Sequence, residues 1–446
     1  MRAIDFGTSS TAAAHRGPGG TPELVTFGGA YAFPSTAASD HGELICGEEA
    51  EALLPADPSA GTRAPKLIVA HDPHGSCFLG GKEVPVVEVV AAILREAALG
   101  DHASDDGMPV LTHPADWEQN GPRSALLVEA AKRAGLGDVR LIPEPNAVAW
   151  HVAERIPAGT RFCIFDLGGG TCDMAALERG DGFHVVARPR SEPIGGELID
   201  ALLFELIMEK LADEHVEEAS HLRAALRARA EGVAHDGVAS AELARWQGCL
   251  LGTERAIRAA KIRLSREEEA IVRVPAPIHA RLAISRSELA GRARPSLERA
   301  ADVLSTVMAE ADLDPKSTTV MLSGAASVMP VVREVLAERT GARIEPVTPA
   351  KGAVALGALR AAEALGAAES TRAKPPPKQA PSRPTTPPQK QARAASKSDS
   401  SGFGFWAAAV VIGAIALYVL WGCAKDFADI PEPPSSAIRA ISVDVR

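Results

Sequence analysis

Two short stretches of this 446-residue chain carry residue types suited to one chemistry. The first is A-I-D-F-G-T-S-S-T at 3–11, and the second, about 160 residues later, is I-F-D-L-G-G-G-T-C-D at 164–173. Each runs from an apolar strand to an Asp, then a turn of Gly, Thr and Ser, then a second strand. Glycine tolerates positive φ and lets backbone N–H groups come close to an anion. Thr and Ser hydroxyls donate to phosphate oxygens. The Asp at each strand end, Asp5 and Asp166, can hold a magnesium ion through its water shell. Two such loops facing each other could clamp a triphosphate from both sides. Either stretch alone reads as a plain hairpin turn; the repetition favours phosphate.

Other chemistries find less support. Six cysteines include no C-x-x-C pair, so zinc ribbons, redox motifs and disulfide scaffolds are not expected. The cysteines read as small core residues, and the histidines are not expected to ligate metal. A net charge of −10 argues against general nucleic-acid binding. Aromatic residues make up only 4%, so the core must rely on Ala, Val, Leu and Ile.

The elements that must position these loops alternate strand and helix. Strands are expected at Arg2–Phe6, Pro109–Thr112, Phe162–Asp166 and Thr319–Ser323. Helices are expected at Val86–Ala98, Arg123–Ala134, Leu198–Glu214, Leu243–Leu264, Ser287–Glu310, Met329–Thr340 and Gly352–Leu365. Asp213–Glu231 reads as a solvated helical face. The fold class is therefore α/β with interleaved hairpins, over residues 1–369.

Beyond that domain the composition changes. Residues 370–402 hold seven prolines and seven basic residues against one acidic one, and no Leu, Ile, Val or Phe. Such a segment cannot offset its ordering entropy and reads as a disordered linker. Phe403–Cys423 follows, 21 residues without a charge. As a helix it would be roughly 32 Å long, enough for a hydrocarbon core of about 30 Å. Phe405 and Trp406 at one end, and Tyr418 and Trp421 at the other, would form an aromatic belt. The N-terminus M-R-A-I-D-F has no signal-peptide hydrophobic region. The basic linker orients the helix, so the expectation is one pass through the inner (cytoplasmic) membrane. The large domain would lie in the cytoplasm and the tail, 424–446, outside.

The duplicated Asp–Gly–Thr hairpins resemble the actin-like ATPase superfamily, and further stretches resemble its 70-kilodalton heat-shock branch. I-P-E-P-N-A-V-A-W (142–150) is similar to that branch's I-N-E-P-T-A-A-A. L-T-H-P-A-D-W (111–117), followed by Arg123, resembles V-P-A-Y-F and its arginine. P-I-G-G-E-L-I-D (193–200) resembles L-G-G-E-D-F-D, A-A-K-I-R-L-S (259–265) resembles A-K-I-E-L-S, and L-S-G-A-A-S-V-M-P (322–330) resembles V-G-G-Q-T-R-M-P. The order holds along roughly 1–366.

The resemblance implies a two-lobed, ribonuclease H-like ATPase domain that binds ATP or ADP with Mg2+. It implies that Thr8, Ser9 and Ser10 form the first phosphate loop, and Gly168, Gly169, Gly170 and Thr171 the second. Asp5 and Asp166 would hold the hydrated magnesium. Gly195 and Gly196 would approach the ribose and phosphates. Arg258, Lys261, Ser265, Gly324 and Ala325 would line the adenosine pocket. Lys66, in A-P-K-L-I, would position the water and γ-phosphate, and Glu144 would sit near the attacking water, with Asp166 and Thr171 orienting it.

The chain also departs from the family's pattern. The family's adenosine-site glutamate is Arg258 here, the second glycine of its adenine-side turn is Ala325, and the following arginine is Val328. The leucine-rich interdomain linker and the β-sandwich peptide-binding domain are absent from the sequence, their place taken by the proline-rich linker and apolar segment. The expected function is a membrane-tethered, chaperone-like or regulatory switch driven by slow ATP hydrolysis, with co-chaperone-like or membrane-proximal protein partners and no nucleic acid. The rival is a nucleotide-sensing scaffold with little turnover, which Arg258 and Ala325 favour. A small-molecule kinase would need an acidic base facing a sugar pocket, and no residue suggests itself.

Overall fold

A computed structural model describes residues 2–372 except 18, 55–56, 100–106, 119 and 231–237. The linker from 373, the apolar segment Phe403–Cys423 and the tail lie outside the described residues.

Two sheets share one topology. In the first, Arg2–Phe6 pairs antiparallel with Ser10–Arg16, which pairs antiparallel with Pro22–Leu24. On its other side lie Val110–His113 and then Arg140–Pro143, both parallel. In the second, Arg161–Leu167 pairs antiparallel with Cys172–Arg179, which pairs antiparallel with Phe183–Val185. Thr319–Ser323 and then Arg343–Pro346 follow in parallel on the far side. The repeat seen in the sequence is thus a repeat of whole sheets. Each phosphate-loop candidate is the hairpin tip between the first two strands of its sheet.

The strand interiors are nearly continuous apolar runs because helices cover them. Between the two sheets lies a core built from small side chains. It joins Ala3, Ala14 and Val110 of one sheet to Phe162, Ile164 and Ala175 of the other, through the helices Glu144–His151 and Ala353–Arg372. These two helices cross closely: a Cβ on Gly357 would meet the Ala147 carbonyl at 1.8 Å. The alanine-rich composition serves that approach. Outside this layer each sheet has its own core, one against Val86–Leu99 and Pro122–Arg133, the other against Gly196–Glu214, Val238–Leu264 and Arg286–Glu310.

The expected strands and helices are present to within a few residues at each end, with some adjustments. Ala353–Arg372 runs seven residues past the expected end and takes in the first three of the expected linker, Ser370, Thr371 and Arg372. The helix expected at Leu243 begins at Val238. The charged stretch Asp213–Glu231 is not one helix. Gly196–Glu214 ends at His215, and Val216–Ala230 starts anew. Among the described residues the five cysteines are free thiols, four of them buried. Among the described residues, no helix is long and apolar enough to cross a membrane.

Candidate functional site

Both key helices start where proline allows it. Pro65 occupies the first turn of Pro65–His71, where a missing N–H costs nothing, and puts Lys66 beside it. Pro143 precedes Glu144–His151 and Pro145 sits in its first turn, so Glu144 falls at the positive end of the helix dipole. The two side chains meet: Lys66 Nζ donates to Glu144 Oε1 at 2.6 Å, with both residues buried.

The strand ends supply the rest of the cluster. Asp5 lies at the end of its strand and accepts from the Thr112 hydroxyl at 2.9 Å. In the second sheet Asp166 lies directly opposite Asp173, and Asp173 accepts from the Thr171 hydroxyl at 3.0 Å. The second Asp173 oxygen is buried and has no hydrogen-bond partner. Asp173 stands at the end of the second motif but has no counterpart in the first, where Ala12 faces Asp5.

Four carboxylates, Asp5, Glu144, Asp166 and Asp173, thus surround one buried ammonium. Burial, reinforced by Glu144, pushes Asp5 up to about 6. Burial and Glu144 likewise push Asp173 up to about 7, against Lys66 and neighbouring hydroxyls. Asp166 is raised well above the carboxylate range by burial, then by Glu144, Asp173 and Asp5. Burial works against the Lys66 charge, but Glu144, Asp5 and Asp173 overcome it and raise its pKa. Raised carboxylates make folding stability fall as pH rises from their unfolded value, about 4, through their folded one. An added cation would relieve that cost, so the donor set fits a divalent ion. His71 and His74 are spaced H-x-x-H, yet among the described residues no three His, Cys, Asp or Glu groups converge to ligate a metal directly. Asp5 and Asp166 are the residues that would hold such an ion.

The two hairpin tips touch. A Cβ on Gly169 would lie 2.0 Å from the Ser9 hydroxyl, and Gly170 packs on Thr8 and Leu67. Ser9 Oγ also donates to Glu197 Oε1 at 2.8 Å. The second tip is tied to the start of the helix Gly196–Glu214: Gly196 N–H donates to the Gly168 carbonyl at 3.0 Å and Glu197 N–H to that of Gly169 at 2.8 Å. Gly195 precedes that helix. Ser10, expected in the loop, is the first residue of the returning strand, paired with Pro34. Gly324 has φ 90° and ψ 150° and lies against Asp166, where a Cβ would come 2.5 Å from Oδ1.

The expected adenosine-side residues are brought together only in part. Lys261 Nζ donates to Asp200 Oδ2 at 2.7 Å and to the Gly196 carbonyl at 2.9 Å. Burial raises Asp200 to about 6, with Lys261 pulling it down. Arg258 Nε lies 3.9 Å from the same Asp200 oxygen. Ala325 is exposed beside Gly324, and Val328 is exposed too. Ser265 follows the end of its helix, and its hydroxyl turns back to the Ile262 carbonyl at 2.7 Å. Arg63 pairs with Glu51 through two bonds of 2.9 Å and reaches Glu254 at 3.4 Å. Asp173, Thr112, Glu197, Asp200 and this arginine cluster were not assigned from sequence, although all but Arg63, Glu51 and Glu254 lay inside recognised motifs.

Comparison with known proteins finds one family and several relatives. The family described as "Hsp70 protein" matches residues 79–236. The chain is 27% identical over 378 residues to "Chaperone protein DnaK" of Cenarchaeum symbiosum (strain A), covering 80% of this chain and 53% of that protein. It is 26% identical over 388 residues to "Chaperone protein DnaK" of Thermotoga neapolitana, covering 83% and 60%. Over 382 residues it is 27% identical to that of Nitrosopumilus maritimus (strain SCM1), covering 80% and 54%. The chain therefore spans a little over half the length of these curated relatives. The likenesses support an Hsp70-type nucleotide-binding domain, and the doubled sheet is consistent with an actin-like ATPase fold.

Proposed function

We propose that residues 1–369 bind ATP with magnesium and hydrolyse it slowly, as a chaperone-like or regulatory switch. The observation that carries this is the meeting of two hairpin tips from duplicated sheets over a buried Lys66–Glu144 pair and three raised aspartates. Thr8, Ser9, Thr171 and the tip amides bind the phosphates. Because the tips touch, a phosphate held by both requires the lobes to part slightly. Lys66 offsets charge on the γ-phosphate, and Glu144 and Thr171 orient the water. Magnesium, when bound, neutralises phosphate oxygens. Positioning and charge neutralisation are most of what phosphoryl transfer asks of a protein. ATP with magnesium should raise the melting temperature of residues 1–369, since a ligand that binds only the native state stabilises it. An unchanged melting temperature at millimolar ATP would count against the reading.

A second reading, a nucleotide-sensing scaffold without significant turnover, is favoured by Arg258. It sits among Glu51, Glu197, Asp200 and Glu254, in place of the family's acid. Equal turnover in wild type and Lys66→Ala would establish it.

We also propose that Phe403–Cys423 anchors the domain in the inner membrane, with partners of co-chaperone or membrane-proximal type meeting it there. The support is the uncharged length and the basic segment before it. A cysteine placed by Ser435→Cys, in a background lacking the native six, should react with a membrane-impermeant reagent on intact cells. Protection until lysis would overturn this topology.

A further inference from the structure

The matched sheets expose a difference at their fourth positions. Asp166 pairs with Ser323 on the parallel strand beside it, and Gly324 comes next. In the first sheet the register Ala3 to Val110 and Ile4 to Leu111, carried one step on, sets Asp5 against Thr112. His113 comes next. The residue after the paired position is thus a glycine in one sheet and a histidine in the other. The V-P-A-Y-F segment that this stretch resembles has valine there, where this chain has His113.

His113 is 3% exposed and pairs across the sheet with Pro143, the residue before Glu144. Its Nδ1 lies 2.8 Å from the Pro114 carbonyl. A carbonyl only accepts, so the proton is on Nδ1 and Nε2 carries the lone pair. The charged groups around it are Glu144, Lys66 and Asp116. Burial lowers its pKa in spite of the two carboxylates, which keeps the ring neutral at physiological pH. Lys66 can only donate and Glu144 is bound to it. Asp5 and Asp173 each accept one hydroxyl bond, from Thr112 and Thr171, on a single oxygen. Nε2 adds an uncharged acceptor beside these carboxylates.

On the reading that ATP is hydrolysed here, we propose that His113 orients the attacking water, its Nε2 accepting a hydrogen bond that turns the water's lone pair toward the γ-phosphorus. The water oxygen bonds to that phosphorus as the bond to the β–γ bridging oxygen breaks. ADP leaves with the electron pair, and the water's proton ends on the released phosphate. His113 holds the geometry throughout and changes no charge.

Single-turnover ATP hydrolysis and ATP–magnesium affinity, measured on the full chain in detergent, test this. His113→Val should slow hydrolysis by about tenfold or more while affinity stays within about threefold, the mark of a misplaced reactant. His113→Gln, whose Oε1 can stand where Nε2 was, should restore most of the rate. A merely packed imidazole predicts the reverse order, with valine tolerated and glutamine not. A wild-type rate in His113→Val, or an equal loss in both variants, overturns the proposal. If the valine variant fails to fold, a folded His113→Gln protein as slow as Lys66→Ala overturns it as well. A wild-type chain that binds ATP without turning it over also overturns it, while leaving nucleotide binding in place.

Discussion

Lys66→Ala should lower single-turnover ATP hydrolysis by about a hundredfold or more, the usual cost of removing one group that stabilises transition-state charge. ADP affinity should change little, because Lys66 acts at the γ-phosphate end. The substitution has a second cost. It removes the one ammonium set among Asp5, Glu144, Asp166 and Asp173. Breaking a buried ion pair from one side costs about 3–5 kcal/mol, since the remaining charge has no compensation. Lys66→Met combined with Glu144→Gln should therefore be more stable than Lys66→Ala, although both variants lose most of their ATP hydrolysis. Urea unfolding and phosphate release on the same preparations separate the two effects. A Lys66→Ala protein as stable as wild type would mean that the 2.6 Å contact contributes nothing to the fold.

Gly324→Ala should destabilise the fold by about 3 kcal/mol or more and weaken ATP binding with it. At φ 90° and ψ 150° the backbone lies in a region that is essentially confined to glycine. The clash is with backbone as well: a Cβ would meet the Leu167 carbonyl oxygen at 2.2 Å and Asp166 Oδ1 at 2.5 Å. Leu167 precedes the second hairpin tip and Asp166 is a candidate magnesium residue, so any relief moves both. Gly291→Ala is the control. Gly291 lies within Arg286–Glu310 with nothing within 4 Å of a Cβ. It should stabilise by about 0.5–1 kcal/mol, the helix propensity difference. Equal stability of the Gly324 variant and wild type would contradict the strained turn.

The local parts of this site were legible because their physics is local. Strand, Asp, glycine turn and strand is a contiguous pattern, and its recurrence gave the two hairpins, though not the matched sheets that carry them. The helix at Glu144 was harder to see. I-P-E-P-N carries two prolines, which argue against a helix everywhere except at its start, where they stand. Asp173 was in plain view, but its part follows from the antiparallel register that sets it opposite Asp166. Arg63, Glu51 and Glu254 could not be joined from sequence, since surface charges pair across 191 residues only once the chain is folded. The same holds for Asp200, whose acidity is shaped by burial and by Lys261. Ser265, carried over from a resemblance, turns its hydroxyl back to the Ile262 carbonyl, and Ser10 stands in a strand rather than in the loop, placements that only the fold reveals.

Calorimetric titration of ATP into folded residues 1–369, with magnesium and again with the metal chelated, bears most directly on the central claim. The touching hairpin tips and the cation-poor carboxylate cluster predict saturable binding with magnesium and markedly weaker binding without it. Heat-silent titrations under both conditions, on protein whose cooperative unfolding shows it to be folded, would contradict the account.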